Sequence, residues 1–291
     1  MRIVLGENRY GKAETRLVRV DRGADAHHVT DLTVTTALAG DLARTHLTGD
    51  NSGVLPTDTQ KNTVFAFARD GIGDVESFAL RLARHFVDTV PTVHRARVHI
   101  DAHSWDRVAV GGAPSHHSFR RAAGTRCATV TVDGDATHVV SGVDDLVLMN
   151  TTDSQFHGFL RDSYTTLPEA TDRILATAVS ARWRHGSADA PADGWSTAFD
   201  DALRNLVEAF ADTPSLSLQQ TLYAMGERVL THRVELCEVR LALPNKHHFL
   251  VDLAPFGLDN PGEVFFAPDR PYGLIEGTVL RDDAAPAEIA W

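Results

Sequence analysis

Apolar and polar residues alternate along several segments of the chain, a pattern typical of β-strands with one buried face. Near the start, residues 14–22 and 29–38 alternate in this way and predict a pair of strands. The same alternation predicts later strands at residues 95–103, 125–133, 137–149, 173–183, 234–243 and 248–253. Because consecutive strands are joined by short connections, we expect an antiparallel sheet.

Four other segments place apolar residues at intervals of three and four, which predicts helices with one buried face. The first pair covers residues 57–69 and 74–90, and Pro91 ends the second of these helices. The second pair covers residues 197–212 and 218–230. Thr57 and Gln60 have the spacing of a capping box, so we expect their side chains to bond the free amides of the first helix.

The predicted elements follow the order ββ-αα-ββ twice, with a turn near Gly134 between the two halves. We therefore divide the chain into residues 1–134 and 135–291. The helices come in pairs instead of one after each strand, which favours an α+β fold with helices on one face of the sheet. Polar segments at residues 111–118 and 187–194 predict loops.

Composition and charge limit the partners of this fold. The chain is 43% hydrophobic, enough for a sizeable core, yet no apolar run reaches the roughly 20 residues that span a bilayer. Its formal charge of −11 would repel a phosphate backbone, so we expect no nucleic-acid partner. Neither end matches a signal peptide or a peroxisomal tripeptide, which favours a cytoplasmic protein of a bacterium. An anionic small substrate would need a local cation.

Two patterns approach known ligand sites but lack a required part. The segment 6–13 nearly matches a phosphate-binding loop, but Ala13 replaces the hydroxyl that would hold magnesium, and a predicted strand follows where a helix is needed. His99 and His103 have the spacing of a helical zinc pair, but they lie in a segment that alternates like a strand. We therefore predict no metal site.

Several polar and aromatic residues at the ends of predicted elements have ordinary structural explanations when each is taken alone. Thr57 can be a helix cap, and Gln219 can be a polar residue in a first helical turn. Arg173 can be a surface ion-pair partner, Phe156 a core residue and Asn245 part of a tight turn. Their chemistry alone leaves these alternatives open.

Taken together, the segments around these residues resemble the urate oxidase, or uricase, family in order and spacing. The resemblance runs from Tyr10 to about Thr278. The segments that carry it include Tyr10-Gly11-Lys12, Thr57-Asp58-Thr59-Gln60-Lys61-Asn62-Thr63, Ser154-Gln155-Phe156-His157-Gly158-Phe159, Asp172-Arg173-Ile174-Leu175, Leu218-Gln219-Gln220 and Pro244-Asn245-Lys246-His247. The motifs Lys61-Asn62-Thr63, Asp172-Arg173-Ile174-Leu175 and Pro244-Asn245-Lys246-His247 are specific to that family when they are found together.

The resemblance implies an architecture. Urate oxidases have the tunnel fold (T-fold), in which each chain holds two ββ-αα-ββ halves and two chains close a barrel. Two barrels then stack into a homotetramer, and each active site lies at the interface of a dimer. The order of elements predicted above agrees with such a chain.

The resemblance also implies a substrate-binding set. Arg173 and Gln219 would hold the edge of urate, because a guanidinium fork and an amide together match its carbonyl and N–H groups. Phe156 would stack on the purine plane. Leu218, through its backbone, and Ile275 would line the same pocket.

A second implied set carries the chemistry. Lys12, Thr57 and His247 would form a proton relay, and Asn245 with Thr57 would hold dioxygen or water over the ring. Thr57 and Asp58 would approach the substrate from the partner subunit.

The reaction implied is the oxidation of urate by dioxygen, as co-substrate, to 5-hydroxyisourate and hydrogen peroxide without a cofactor. Two alternatives remain: a pterin- or purine-processing enzyme of the same fold, and a protein that binds purines without turnover.

Overall fold

The computed structural model describes every residue from Met1 to Trp291 and contains five α-helices and ten strands. The helices are α1 (Ala43–Thr48), α2 (Thr57–Arg69), α3 (Val75–Thr89), α4 (Trp195–Asp212) and α5 (Leu218–His232). The strands are β1 (Tyr10–Arg22), β2 (His27–Gly40), β3 (Val93–Val110), β4 (Ala113–Asp133), β5 (Ala136–Asn150), β6 (Leu175–His185), β7 (Leu236–Asn245), β8 (Phe249–Leu250), β9 (Phe265–Phe266) and β10 (Gly273–Leu280). None of the helices combines the length and the apolar character needed to cross a membrane.

Eight of the strands are hydrogen-bonded in the order β1-β2-β3-β4-β5-β6-β7-β10, and β8 pairs separately with β9. The pairs β1–β2, β2–β3, β3–β4 and β7–β10 are antiparallel. This confirms the expected α+β class with an antiparallel sheet.

The chain forms two compact units. The first comprises Met1–Gly142, Trp183–Phe199 and Ala284–Trp291, and the second comprises Val143–Arg182 and Asp200–Asp283. The predicted division into residues 1–134 and 135–291 follows the repeated order of elements, not these compact units, and it stays a prediction.

The core of the first unit explains the periodic patterns in its sequence. On β2, Leu32 and Val34 are fully buried, and on β3 Ile100 is fully buried. They pack in one apolar cluster with Phe78 and Phe86 of α3. Burying side chains of this size contributes roughly 1.5–3 kcal/mol each, so the alternating strand face and the helix stripe are held against each other.

In the second unit α5 lies close to the strands β7 and β10. A Cβ atom added at Gly226 would come within 2.6 Å of Cγ2 of Val279, so a glycine is required for this approach. Leu218, Met225 and Val229 are buried on the same side of α5. The buried side of this helix is therefore packed against the sheet.

The helices predicted at 57–69, 74–90, 197–212 and 218–230 are confirmed, with ends that differ by a few residues at most.

The capping box predicted at the start of α2 is wrong. Pro56 is the N-cap residue, and no side chain caps this helix. Gln60 is instead fully buried, and its Oε1 accepts a hydrogen bond of 2.7 Å from the Thr36 hydroxyl. The amide faces the sheet because it lies on the buried side of the helix.

Two further predictions are wrong, namely the loop at residues 111–118 and the strand at residues 248–253. Residues 113–118 belong to β4, and the connection to β3 is a tight turn at Gly111 and Gly112. Backbone pairing with the neighbouring strand outweighs the polar composition of this segment. The strand predicted at 248–253 shrinks to Phe249–Leu250, while the neighbour of β7 is β10, which the pattern of apolar residues does not predict.

Candidate active site

The second unit contains a cavity of about 300 Å³ whose wall is built from the ends of several elements. Seven residues predicted for the site line it: Phe156, Arg173, Leu218, Gln219, Asn245, His247 and Ile275. The wall also includes Leu167, Ile174, His248 and Phe249, to which sequence reasoning assigns no role. The fold thus brings together residues that are far apart in the sequence.

The N-terminus of α5 supplies Leu218 and Gln219. Ser217 is the N-cap, and its side chain accepts a hydrogen bond from the Gln220 amide at 3.2 Å. The Gln220 side chain in turn accepts one from the Leu216 amide at 2.8 Å. Gln220 is therefore engaged in the cap, while Gln219 lines the cavity. The positive end of the helix dipole favours an anion here.

Arg173 is the cation of this cavity. It forms no ion pair within the chain, and its Nε atom is buried without a hydrogen-bond partner. Burial lowers the pKa of this guanidinium, because removal from water disfavours the charged form. Its central carbon lies 5.2 Å from the centroid of the Phe156 ring. A planar anion bound here would restore the interactions that Arg173 lacks.

The Phe156 ring is held by its backbone and by a second aromatic ring. The amide of Phe156 donates to the Ala170 carbonyl at 2.8 Å, and the reverse bond measures 2.9 Å. The Phe159 ring stacks on Phe156 with centroids 5.0 Å apart and an angle of 14°. Sequence reasoning gives no role to Phe159. The signal that points to it is a second phenylalanine three residues after Phe156.

Asn245 and Ile275 lie on the neighbouring strands β7 and β10, where Asn245 is opposite Gly273 and Ile275 is opposite Leu243. The chain after β7 is anchored because the Lys246 amide donates to the Ala176 carbonyl at 2.8 Å. This bond fixes the segment that brings His247 to the cavity, where its ring lies 5.8 Å from the Phe249 ring. Two polar side chains therefore face the same small space as Arg173.

The remaining predicted residues, Lys12, Thr57 and Asp58, belong to the first unit and do not line this cavity. Thr57 and Asp58 form the first turn of α2. Asp58 accepts hydrogen bonds from Lys61 at 2.5 Å and from Asn62 at 3.0 Å. The bond to Lys61 is the main cause that lowers the pKa of Asp58, and the charge of Lys12 adds to it, so Lys12 lies near this turn.

Comparison with known proteins places this arrangement in a family. The family model described as "Uricase" matches residues 8–131 and 139–276. The uricase of Arthrobacter globiformis is 47% identical over 290 residues, which cover the whole chain and 94% of that protein. The uricase of Dictyostelium discoideum is 38% identical, over 94% of this chain and 96% of that protein.

Solved structures agree. The crystal structure of the Arthrobacter globiformis uricase superposes with a TM-score of 0.93 at 48% identity, over 99% of each chain. A urate oxidase of Bacillus sp. TB-90 shares the fold with a TM-score of 0.79, but at 23% identity. The chain therefore belongs to the uricase family.

Proposed function

We propose that urate binds in the cavity of the second unit, gripped by Arg173 and Gln219 and stacked on Phe156. The family makes the chain a urate oxidase, an oxidoreductase. The observation that supports this site best is Arg173, a half-buried cation without a carboxylate partner beside an aromatic face. A volume of about 300 Å³ lies at the lower end of the range for small-molecule pockets, which suits a single purine.

Each group of the cavity would recognise a different part of urate. The guanidinium of Arg173 would donate to carbonyl oxygens along one edge and balance the negative charge. The Gln219 amide would donate to one atom of that edge and accept from another. The Phe156 ring, backed by Phe159, would fix the plane of the purine. Leu218, through its backbone, and Ile275 would close the sides.

We further propose that Lys12, Thr57 and His247 move protons, while Asn245 and Thr57 hold dioxygen and then water above the purine. Removing protons from urate makes it electron-rich, so that two electrons can pass to dioxygen without a metal or an organic cofactor. Dioxygen takes up two protons and leaves as hydrogen peroxide. Water then adds its hydroxyl to C5 of the oxidised ring, which yields 5-hydroxyisourate. The relay would return the released protons.

In this proposal a second copy of the chain supplies Lys12, Thr57 and Asp58 to the cavity. Two features support this. The residues that line the cavity all belong to the second unit, and none of them is the lysine that the proposed relay needs. In addition, the second unit exposes many large apolar side chains, such as Phe256 at 74% and Leu258 at 60%, which a subunit interface would cover. A dimer that closes a tunnel-fold barrel, paired into a homotetramer, would provide such interfaces.

The experiment measures urate and dioxygen together. Purified protein is treated with a chelator and freed of small molecules, and urate absorbance and dissolved oxygen are followed in one cell. We expect both to fall in equal amounts while hydrogen peroxide appears. Oxygen uptake that starts only after a metal or flavin is added would disprove the cofactor-free mechanism. Binding of urate without oxygen uptake would favour a purine-binding protein.

A further inference from the structure

A buried hydrogen-bonded pair, Thr36 and Gln60, joins the strand that carries Lys12 to the first turn of α2. The Thr36 hydroxyl accepts a hydrogen bond from the Lys12 amide at 3.3 Å and donates one to Oε1 of Gln60 at 2.7 Å. Gln60 lies three residues after Thr57, on the same turn as Asp58. One continuous path of hydrogen bonds therefore connects the backbone of Lys12 with the helix turn that holds Thr57 and Asp58.

The pairing of β1 with β2 is irregular around Lys12, and side-chain hydrogen bonds supplement the backbone ladder there. The pairing of β1 with β2 shifts register between Lys12 and Thr15, and Glu14 has a positive φ of 54°. Such a bulge interrupts the regular ladder and re-aims side chains. Side-chain hydroxyls of β2 take over here, because Thr35 accepts from the Glu14 amide at 3.0 Å as Thr36 does from Lys12.

Gln60 is poorly suited to a purely stabilising role. Its side chain is fully buried, and its Nε2 atom has no hydrogen-bond partner in the chain. A buried donor left without a partner destabilises a protein, and an apolar side chain of the same shape would avoid this penalty. Gln60 is therefore unfavourable for stability, yet it lies on the turn that holds Thr57 and Asp58. This combination indicates that Gln60 helps to position these two proposed site residues.

We propose that Thr36 and Gln60 are positioning residues that hold Lys12 at a fixed place relative to Thr57 and Asp58. This inference rests on the proposed function, since it assumes that Lys12 and Thr57 pass a proton between them. Neither Thr36 nor Gln60 touches urate in this scheme. Their effect is to keep the amine and the hydroxyl aligned, and an error of about 1 Å in such an alignment can lower a rate 100-fold.

The kinetic test replaces both partners at once. In a Thr36→Val/Gln60→Met variant the hydrogen bond and the unpaired donor both disappear, so the thermal unfolding midpoint should stay the same or rise. We expect kcat to fall roughly 10- to 100-fold, with KM and anaerobic urate affinity unchanged within about twofold. The single variant Thr36→Ser, which keeps the hydroxyl and its Gln60 acceptor, should retain most of kcat. Thr89→Val, which removes a hydroxyl bonded only within α3, is the matched control and should change nothing.

A second measurement reports on Lys12 without turnover. The chain contains three lysines, Lys12, Lys61 and Lys246, so reductive ¹³C-methylation gives few lysine signals in an NMR spectrum, and Lys12→Met assigns the first. In the double variant we expect the Lys12 signal to move and the Lys246 signal to stay.

The outcomes separate the two hypotheses. An unmoved Lys12 signal, or a double variant with full kcat, overturns the positioning role. A shifted Lys12 signal in a protein that does not oxidise urate supports the positioning role and disproves the proposed function. A kcat loss accompanied by a lower unfolding midpoint, with an equal kcat loss in Thr36→Ser, would make the pair structural and also overturn the inference.

Discussion

At the scale of single residues, the proposed binding cavity contains one cation whose Nε atom has no partner in the chain. Arg173 has a buried Nε atom without a hydrogen bond and lies against the Phe156 ring. Burial that lowers the pKa of a guanidinium is unfavourable for the free protein and is relieved when an anion binds. In the proposed site, this cation would let the acidic chain attract a negatively charged substrate.

We predict that Arg173→Ala weakens urate binding and changes turnover of bound urate less. Loss of hydrogen bonds to a charged partner is worth about 1.5–3 kcal/mol, which corresponds to roughly a 10- to 150-fold higher dissociation constant. An anaerobic titration with urate measures it. Arg120→Ala, at an exposed arginine paired with Asp106, is the control and should bind urate normally. Unchanged affinity in Arg173→Ala would remove Arg173 from the site.

For Lys12 we predict the opposite effect, a loss of turnover with little change in urate binding. Lys12→Met removes a proton-transfer group while leaving the cavity of the second unit intact, so urate affinity should persist. General acid–base catalysis contributes roughly 100- to 10,000-fold, and kcat should fall within this range. Steady-state kinetics combined with the anaerobic titration separates the two effects. An equal loss of binding and turnover would make Lys12 a substrate-binding residue.

Gly11 shows how a single residue prepares this position. A Cβ atom at Gly11 would lie 1.8 Å from the carbonyl oxygen of Thr36, which is far inside contact distance. Only glycine allows β1 to approach β2 so closely directly before Lys12. The motif Tyr10-Gly11-Lys12 therefore has a packing reason for its middle residue.

At the scale of elements, two helices with similar first turns begin differently. Both α2 and α5 have a hydroxyl residue followed three positions later by glutamine, Thr57 with Gln60 and Ser217 with Gln220. In α5 the pair forms a cap through hydrogen bonds. In α2 the helix already begins after Pro56, and Gln60 lies on the buried side. Spacing alone cannot distinguish the cases, because it does not reveal which face meets the sheet.

A buried ion pair links α3 to β4 within the first unit. Glu76 has no exposed side-chain surface and bonds Arg126 at 2.7 Å, and it also accepts a hydrogen bond from Ser141 at 2.7 Å. The Arg126 guanidinium in turn lies 4.3 Å from the Phe199 ring centroid. Arg126 therefore balances the negative charge of the buried Glu76 carboxylate, and Glu76 balances the positive charge of Arg126.

We predict that Arg126→Met lowers the free energy of unfolding by about 3–5 kcal/mol, because it leaves the Glu76 carboxylate buried without its cation. Denaturant-induced unfolding followed by circular dichroism measures the change. Arg120→Met breaks the exposed pair with Asp106 and should lower stability by less than about 1 kcal/mol. Equal effects of the two substitutions would contradict this account.

At the scale of the whole molecule, the second unit leaves large apolar side chains in solvent. Phe256 and Leu258 are both exposed, in a segment that contains little regular structure. Scattered apolar residues are common on protein surfaces, but an accumulation of large side chains indicates a contact with another protein. The proposed homotetramer provides one.

We predict that Phe256→Asp/Leu258→Asp produces a smaller particle in size-exclusion chromatography with light scattering. Urate oxidation should fall with the fraction of assembled protein, because the proposed site takes residues from two copies. Leu47→Asp, at an equally exposed leucine in the first unit, should keep both the size and the activity. Full activity in a particle of monomer mass would exclude a site shared between subunits.

The sequence by itself determined the helix pairs, most strands and the α+β class, because burying one face of an element imposes a period on its residues. It also pointed, by resemblance, to seven of the residues that line the cavity. Only the tertiary structure decided that Gln60 faces the sheet and that Gln220 caps α5, leaving Gln219 to the cavity. It also decided that β10, with its two glycines and weak alternation, is the neighbour of β7. Pairing and burial of this kind depend on partners distant in the chain, and no local pattern encodes them.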